Sequence, residues 1–310
     1  MKIKVFCQTE CFLNDRFLTD YFEQYFELIQ NNENFNPNYD IVCYNPLRGK
    51  LTNTDKPIIN DSIWEIGNMD KSIDPYDLLF IGGSNNEEPN SVKVPKWFWY
   101  HTYYYINPKE LYNPYFYDKP HTFLMPIRIL GGFQHRNDVL ELLDTEKDNA
   151  LYSVVEQGKT LDPGEDMTSN DRHYNPDWYN KTHFSVVLET YTTRLPQDTL
   201  FITEKTYKPI CYGHAFIIMS YPGTLKALQD WGFVTFDNLF DESYDTETDY
   251  NKRLLKIIDN IKNVDLRACV NAETIERIHH NQAVFRNKVL VRQGLYNDIV
   301  KPIQEFLKKE

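Results

Sequence analysis

Two stretches limit the class of fold this chain can adopt. His183–Thr190 (HFSVVLET) and His214–Ser220 (HAFIIMS) carry β-branched and aromatic residues at successive positions. A strand with one wet face alternates apolar and polar side chains, whereas a continuously apolar run belongs to a strand buried on both faces. Between the two runs, FITEKTYKPICYG has room for a short helix over Thr206–Tyr212, stopped by Gly213, which suits a left-handed C-cap. Strand, helix, strand implies a parallel sheet wrapped by helices.

The same alternation recurs along the chain. IKVFCQT, YDIVCYN and YDLLFIGG read as buried strands. Phe17, Leu18, Tyr21, Phe22, Tyr25, Phe26 and Leu28 fall at helical spacing after the capping residues Asn14 and Asp15, which predicts an amphipathic helix. Lys93–Pro120, rich in aromatics, Pro and Asn, reads as an irregular connector. A second half opens with strands HTFLMPIRIL and NALYSVV, separated by a helix over Asn137–Leu143. Lys159–Asn180 reads as a loop or flap, and TLKALQDWG, NKRLLKIIDNIKN and YNDIVKPIQEFLKK as helices. The expected fold class is α/β, with two Rossmann-like domains facing a central cleft. Residues 1–118 form an N-terminal α/β domain, 119–285 a C-terminal α/β domain, and 286–310 a C-terminal helix whose return onto the N-terminal domain is left open.

Composition excludes several classes. The 310 residues carry a formal net charge of −12, so the average surface repels phosphate backbones and disfavours a general nucleic-acid binder. The five cysteines, Cys7, Cys11, Cys43, Cys211 and Cys269, are odd in number and scattered, without zinc spacing. Neither a disulfide framework nor a metal site is expected, and a reducing cytoplasm fits. No stretch is long and apolar enough to span a bilayer. Aromatic residues reach 15%, which implies thick aromatic packing before it implies a stacking groove.

Chemistry concentrates at Thr203-Glu204-Lys205, where a strand and loop lead into a helix. Such an N-terminus offers free N–H groups and a partial positive charge to an anion, and Lys205 adds a full charge beside them. Glu204 can accept hydrogen bonds from the vicinal hydroxyls of a ribose. The competing reading is an ordinary helix start stabilised by an acidic residue near its positive end.

HFSVVLET followed by FITEKTYKPICYGHAFII resembles the signature of the fucosyltransferase-like glycosyltransferases, a GT-B fold family. There a Phe-Glu-Asn strand end precedes a Thr-Glu-Lys motif; Leu188, Glu189 and Thr190 stand at the first, and Thr203, Glu204 and Lys205 match the second. Gly232–Asp245 (GFVTFDNLFDESYD) is similar to a stretch in phage and marine-bacterial relatives. The resemblance covers Phe123 to about Phe285 and is specific from Glu189 to Asp245. It implies that residues 1–118 are the acceptor-side domain and 119–285 the nucleotide-sugar-binding domain, with a nucleotide-sugar donor as co-substrate, no other cofactor and no obligatory metal. Glu204 and Lys205 would contact ribose and phosphates, and Glu189 would line the donor pocket; Thr190 in place of asparagine leaves that contact open. The acidic run Asp237–Asp249 reads as a solvated turn.

Other candidates follow from placement. Arg128, in LMPIRIL, could fork onto a diphosphate, against a buried ion pair. Arg136, after His135, reads more simply as an exposed residue at a helix start, and His183 and His214 as structural histidines. Tyr207 could stack on a nucleobase or pack in the core. A base must take the acceptor proton in sugar transfer with inversion. Glu10, after the first strand, is the choice, with Glu87 and Glu88 as rivals. The acceptor is a glycan or small molecule. Two alternatives remain: transfer to a hydroxylated base in DNA, and a nucleotide-binding module without catalysis.

Overall fold

The computed structural model describes residues 3–7, 21, 24–29, 40–43, 80–82, 91–105, 118–162, 175–192 and 200–306. The chain divides into two compact units, Met1–Tyr104 with Pro196–Phe201 and Lys288–Glu310, and Tyr105–Leu195 with Ile202–Asn287.

In the first unit β1 (Ile3–Cys7) lies between β2 (Phe26–Ile29) and β3 (Asp40–Cys43), parallel to both. β4 (Phe80–Gly82) and β5 (Ser91–Lys93) form a second parallel pair. Two expectations fail here. The helix expected through Leu28 gives way to strand β2, because Phe26-Glu27-Leu28-Ile29 finds a ladder partner in Ile3–Phe6. Pairing over a distance overrides local periodicity. The connector contains a helix, α1 (Trp97–Tyr105), in which nine residues with no interior Pro or Gly meet no breaker. Tyr100 is fully buried, and its hydroxyl donates to Asp298 Oδ2 at 2.5 Å.

The second unit holds a four-stranded parallel sheet in the order β7-β6-β8-β9. These strands are β6 (His121–Ile127), β7 (Leu151–Val154), β8 (Thr182–Leu188) and β9 (Ala215–Met219). Every residue of β8 and β9 is buried, as their unbroken apolar runs require. The helices of this unit are α2 (Gln134–Leu142), α3 (Pro176–Asn180), α4 (Glu204–Tyr212), α5 (Thr224–Asp230), α6 (Tyr250–Asn263) and α7 (Ala272–Phe285). α3 ends the stretch expected to be a loop. Asn175 caps it by accepting from Asp177 N at 3.0 Å, and Pro176 follows at the first helical position. α4 stops at Gly213, whose φ of 71° is left-handed and whose missing Cβ would sit 2.5 Å from Gln282 Nε2.

The first unit closes with α8 (Lys288–Leu295), a π-helical turn over Tyr296–Val300, and α9 (Lys301–Phe306). Among the described residues no helix is long and apolar enough to cross a membrane.

The acidic run is not a merely solvated turn. Asp241 caps its own turn at Ser243 N, Asp249 caps α6 at Lys252 N, and buried Asp245 accepts from Leu225 N and Lys226 N at the start of α5. Each carboxylate takes amides that a helix leaves unpaired.

Candidate functional site

In strand order 2-1-3-4 the chain leaves β6 in opposite directions, first to β7 and then, across β6, to β8. Ligands of open α/β sheets bind at that reversal, beyond the carboxyl ends of the strands. β6 and β8 are neighbours in register, with Leu124 opposite Ser185. A cavity of about 250 Å³ opens there, lined by the ends of both strands, by α3, and by the first turns of α2 and α4. It belongs wholly to the second unit.

Its charge is lopsided. Arg128, Arg136, Lys205 and Lys208 line it, against the single carboxylate of Glu204. Among the described residues, then, four cations line the cavity against one lining acid, with the Glu189 carboxylate acting on Arg136 and Lys205 as well, in a chain of net charge −12.

Local structure explains how these groups are held. Arg136 is 5% exposed, its Nη1 donates to Ile129 O at 2.6 Å, and its guanidinium lies 4.0 Å from the Phe133 ring centre. It is therefore a buried wall residue and not the exposed helix start its position implied. Lys205 Nζ donates to Glu204 Oε1 at 3.0 Å and to Thr203 Oγ1 at 3.1 Å. Burial acts to raise the Glu204 carboxyl, but the ammonium groups of Lys205 and Lys208 outweigh it and hold the pKa at about 2. Burial acts to lower Lys205, and the carboxylates of Glu204 and Glu189 turn the net shift upward. At neutral pH the pair is fully ionised, so Glu204 can only accept hydrogen bonds.

Three expected ligand residues stand behind the cavity wall. Glu189 is 0% exposed, and Thr203 is 1% exposed. Glu189 Oε1 accepts from Thr203 N at 2.9 Å and Thr206 Oγ1 at 2.7 Å, while Oε2 accepts from Thr203 Oγ1 at 2.6 Å. The Glu189 carbonyl accepts from His135 Nε2 at 2.8 Å, and burial, then Arg136, keeps that imidazole neutral with a pKa of about 4. Tyr207 is completely buried between the rings of Phe233 and Phe285, so no face of it is open to a base. Thr190, next to Glu189, does line the cavity.

The helix amides are also spoken for. Thr203 N goes to Glu189, Lys205 N to Thr203 Oγ1 and Thr206 N to Thr203 O. The expected cradle of free N–H groups is filled by the protein's own oxygens, which leaves anion binding to the four side-chain cations. Lys208 was missed from sequence, although its spacing of four from Glu204 puts both on one helix face. Glu10, Glu87 and Glu88 lie outside the described residues.

No protein-family model matches the chain, and no curated protein matches it. Among solved structures it is similar to an alpha1,3-fucosyltransferase at 10% identity and TM-score 0.45, over 94% of this chain and 92% of that one. An alpha1,3-fucosyltransferase with GDP-fucose is similar at 12% identity and TM-score 0.38, over 91% and 82%. A third, with GDP, is similar at 10% identity and TM-score 0.36, over 94% and 92%. A likeness this shallow does not reach the level of side chains.

Proposed function

We propose that the protein is a glycosyltransferase that takes a sugar from a nucleotide-sugar donor and passes it to an acceptor hydroxyl with inversion. One observation carries the reading: Glu204 and Lys205, one turn before Lys208, line the switch-point cavity together with Arg128 and Arg136. The donor's diphosphate carries negative charge that grows on the leaving group as the glycosidic bond breaks. Preorganised cations aimed at that charge are the largest single source of rate enhancement in many enzymes. Arg128 and Arg136 are suited to two-point contact with phosphate oxygens, and Lys205 and Lys208 act as point charges. Four cations provide the compensation a divalent ion would otherwise give, so transfer is expected to persist in EDTA. Glu204, fixed as an anion, accepts from ribose hydroxyls. Residues 119–285 are the donor-binding domain in this reading.

The test is a panel of UDP-, GDP-, CMP- and dTDP-sugars screened by thermal shift, because a ligand that binds only the folded chain raises its melting point. One donor should raise Tm and support transfer to a glycan or small acceptor. Lys205→Ala should abolish both while leaving the fold intact: the side chain is 32% exposed, and Lys208 and Arg136 remain to compensate the buried Glu204 carboxylate. Unchanged turnover in that variant would remove the motif from the mechanism. Donor binding without transfer to any acceptor would mark a nucleotide-binding module.

A further inference from the structure

Arg128 is the first residue beyond β6, so its main chain lies outside the strand ladder and has to find its partners elsewhere. Glu156 supplies them. It follows β7, in the 3-10 turn Val155–Gln157. Its N–H donates to Arg128 O at 2.9 Å, and its Oε2 accepts from Leu130 N at 2.6 Å and from Gly131 N at 2.9 Å. Arg136 adds a bond to Ile129 O, so each residue of the turn Arg128–Gly131 is held through its main chain. Gly131 gives the carboxylate room, because a Cβ there would stand 3.1 Å from Glu156 Oε1. The amide of Gly131, then that of Leu130, holds the Glu156 carboxyl below its ordinary range, so it is ionised at neutral pH. Arg128, Ile129 and Val155 line the cavity, whereas Glu156 is exposed and stands outside it. A carboxylate at that place opposes anion binding on Coulomb grounds alone. Its three bonds to one turn give it a different use.

We propose that Glu156 is a positioning residue of the anion site: it clasps the turn Arg128–Gly131 and so fixes where the Arg128 guanidinium meets a bound phosphate. The inference rests on reading the cavity as a diphosphate site and not on sugar transfer itself. Glu156 acts through the main chain of Arg128 and touches no ligand. A two-point contact between guanidinium and phosphate is demanding in geometry, so it gains from a fixed Cα. A turn released from the clasp has to be ordered when the anion binds, and that ordering costs affinity. A plug would behave otherwise. If the carboxylate only occupied amides that a phosphate oxygen uses, its removal would strengthen binding.

Calorimetry with inorganic pyrophosphate on the full chain decides by sign. Loss of a negative charge alone would tighten binding equally in Glu156→Ala and Glu156→Gln. Loss of the clasp weakens it, and Gln, which keeps an uncharged oxygen for the two amides, should weaken it less than Ala. The expected order of affinity is wild type, Gln, Ala, with Ala about tenfold weaker than wild type, the lower end of what losing an outer-shell partner costs a metal site. In an Arg128→Ala background the same substitution should change affinity little, because the side chain that Glu156 positions is gone. The Glu156 side chain is exposed, so both variants should fold with the wild-type urea midpoint nearly kept. Gly131→Ala crowds the carboxylate without removing its charge. It should also weaken binding, and it serves if the Glu156 variants do not fold. Binding that is unchanged or tighter in Glu156→Ala, or a loss that persists in full without Arg128, overturns the clasp while the anion site stands. A wild-type chain that does not bind pyrophosphate overturns both.

Discussion

The Glu189 carboxylate grips Thr203 twice, taking its backbone N–H at 2.9 Å and its hydroxyl at 2.6 Å. A third bond, from Thr206 Oγ1, ties the same carboxylate to the first turn of α4. The end of β8 is thus bolted to the start of the helix that presents Glu204 and Lys205 to the cavity. Glu189→Ala removes the acceptor from three buried donors. Hydrogen bonds to charged groups contribute about 1.5–3 kcal/mol each and do not add fully, so a loss of about 3 kcal/mol or more is expected in urea unfolding. Glu189→Gln retains one oxygen for Thr203 N and Thr206 and should lose less. An alanine variant as stable as wild type would show that the carboxylate does not hold α4 in place.

Tyr207 separates a core role from a ligand role. Its hydroxyl is fully buried and has no hydrogen-bond partner among the described residues. Burying a polar group without a partner costs stability, on the order of 1–3 kcal/mol. Tyr207→Phe removes that group and keeps the packing against Phe233 and Phe285. It should therefore unfold at the same temperature or higher, and bind pyrophosphate and nucleotides as wild type does. A drop in nucleotide affinity in this variant would return Tyr207 to the site.

What could be read from sequence and what could not divide along the range of the interactions. β8, β9 and the Gly213 stop are local statements: consecutive apolar residues need two covered faces, and only a few residue types take a left-handed cap. The charge of Lys205 and Glu204 was equally legible. The strand at Phe26–Ile29 was not, because its partner is Ile3–Phe6 and its own spacing also satisfies a helix. Nor was the inward turn of Glu189, since it depends on Thr203 and Thr206 meeting it after an intervening loop. Arg136 looked exposed because a helix start often is; the Phe133 ring and Ile129 carbonyl that bury it come from the turn after β6.

Gly294 sets two opposing effects against each other. It lies inside α8, where alanine is favoured over glycine by about 1 kcal/mol. A Cβ there would fall 2.2 Å from Tyr100 Oη and 2.7 Å from its Cζ. Tyr100 cannot yield easily, being fully buried and tied to Asp298. Overpacking of this kind costs about 1–3 kcal/mol, so the clash should win and Gly294→Ala should lower stability. Tyr100→Phe removes the nearer contact only, and the double variant should recover part of the loss. A Gly294→Ala protein more stable than wild type would mean that α8 shifts away from α1 at little cost.

Glu242 gives the second unit a pH dependence opposite in sign to that of an ordinary paired carboxylate. Burial raises its pKa to about 7, although Thr235 Oγ1 and Phe236 N each donate to it at 2.7 Å, and Asp237 and Asp245 nearby push the same way as burial. The folded state holds this proton more tightly than the unfolded chain, whose carboxyl titrates near 4.3. Protonation therefore stabilises: the contribution is complete below about pH 4, and it is lost as pH rises through about 7. The size is on the order of 3 kcal/mol. Glu242→Gln is neutral at every pH and can still accept from Phe236 N. Its melting temperature should match wild type near pH 4 and exceed it at pH 8, with the gap opening between about pH 4 and 7 and level above that. A gap that is constant over that range would mean that Glu242 titrates alike in the folded and unfolded chain, with Thr235 and Phe236 cancelling the effect of burial.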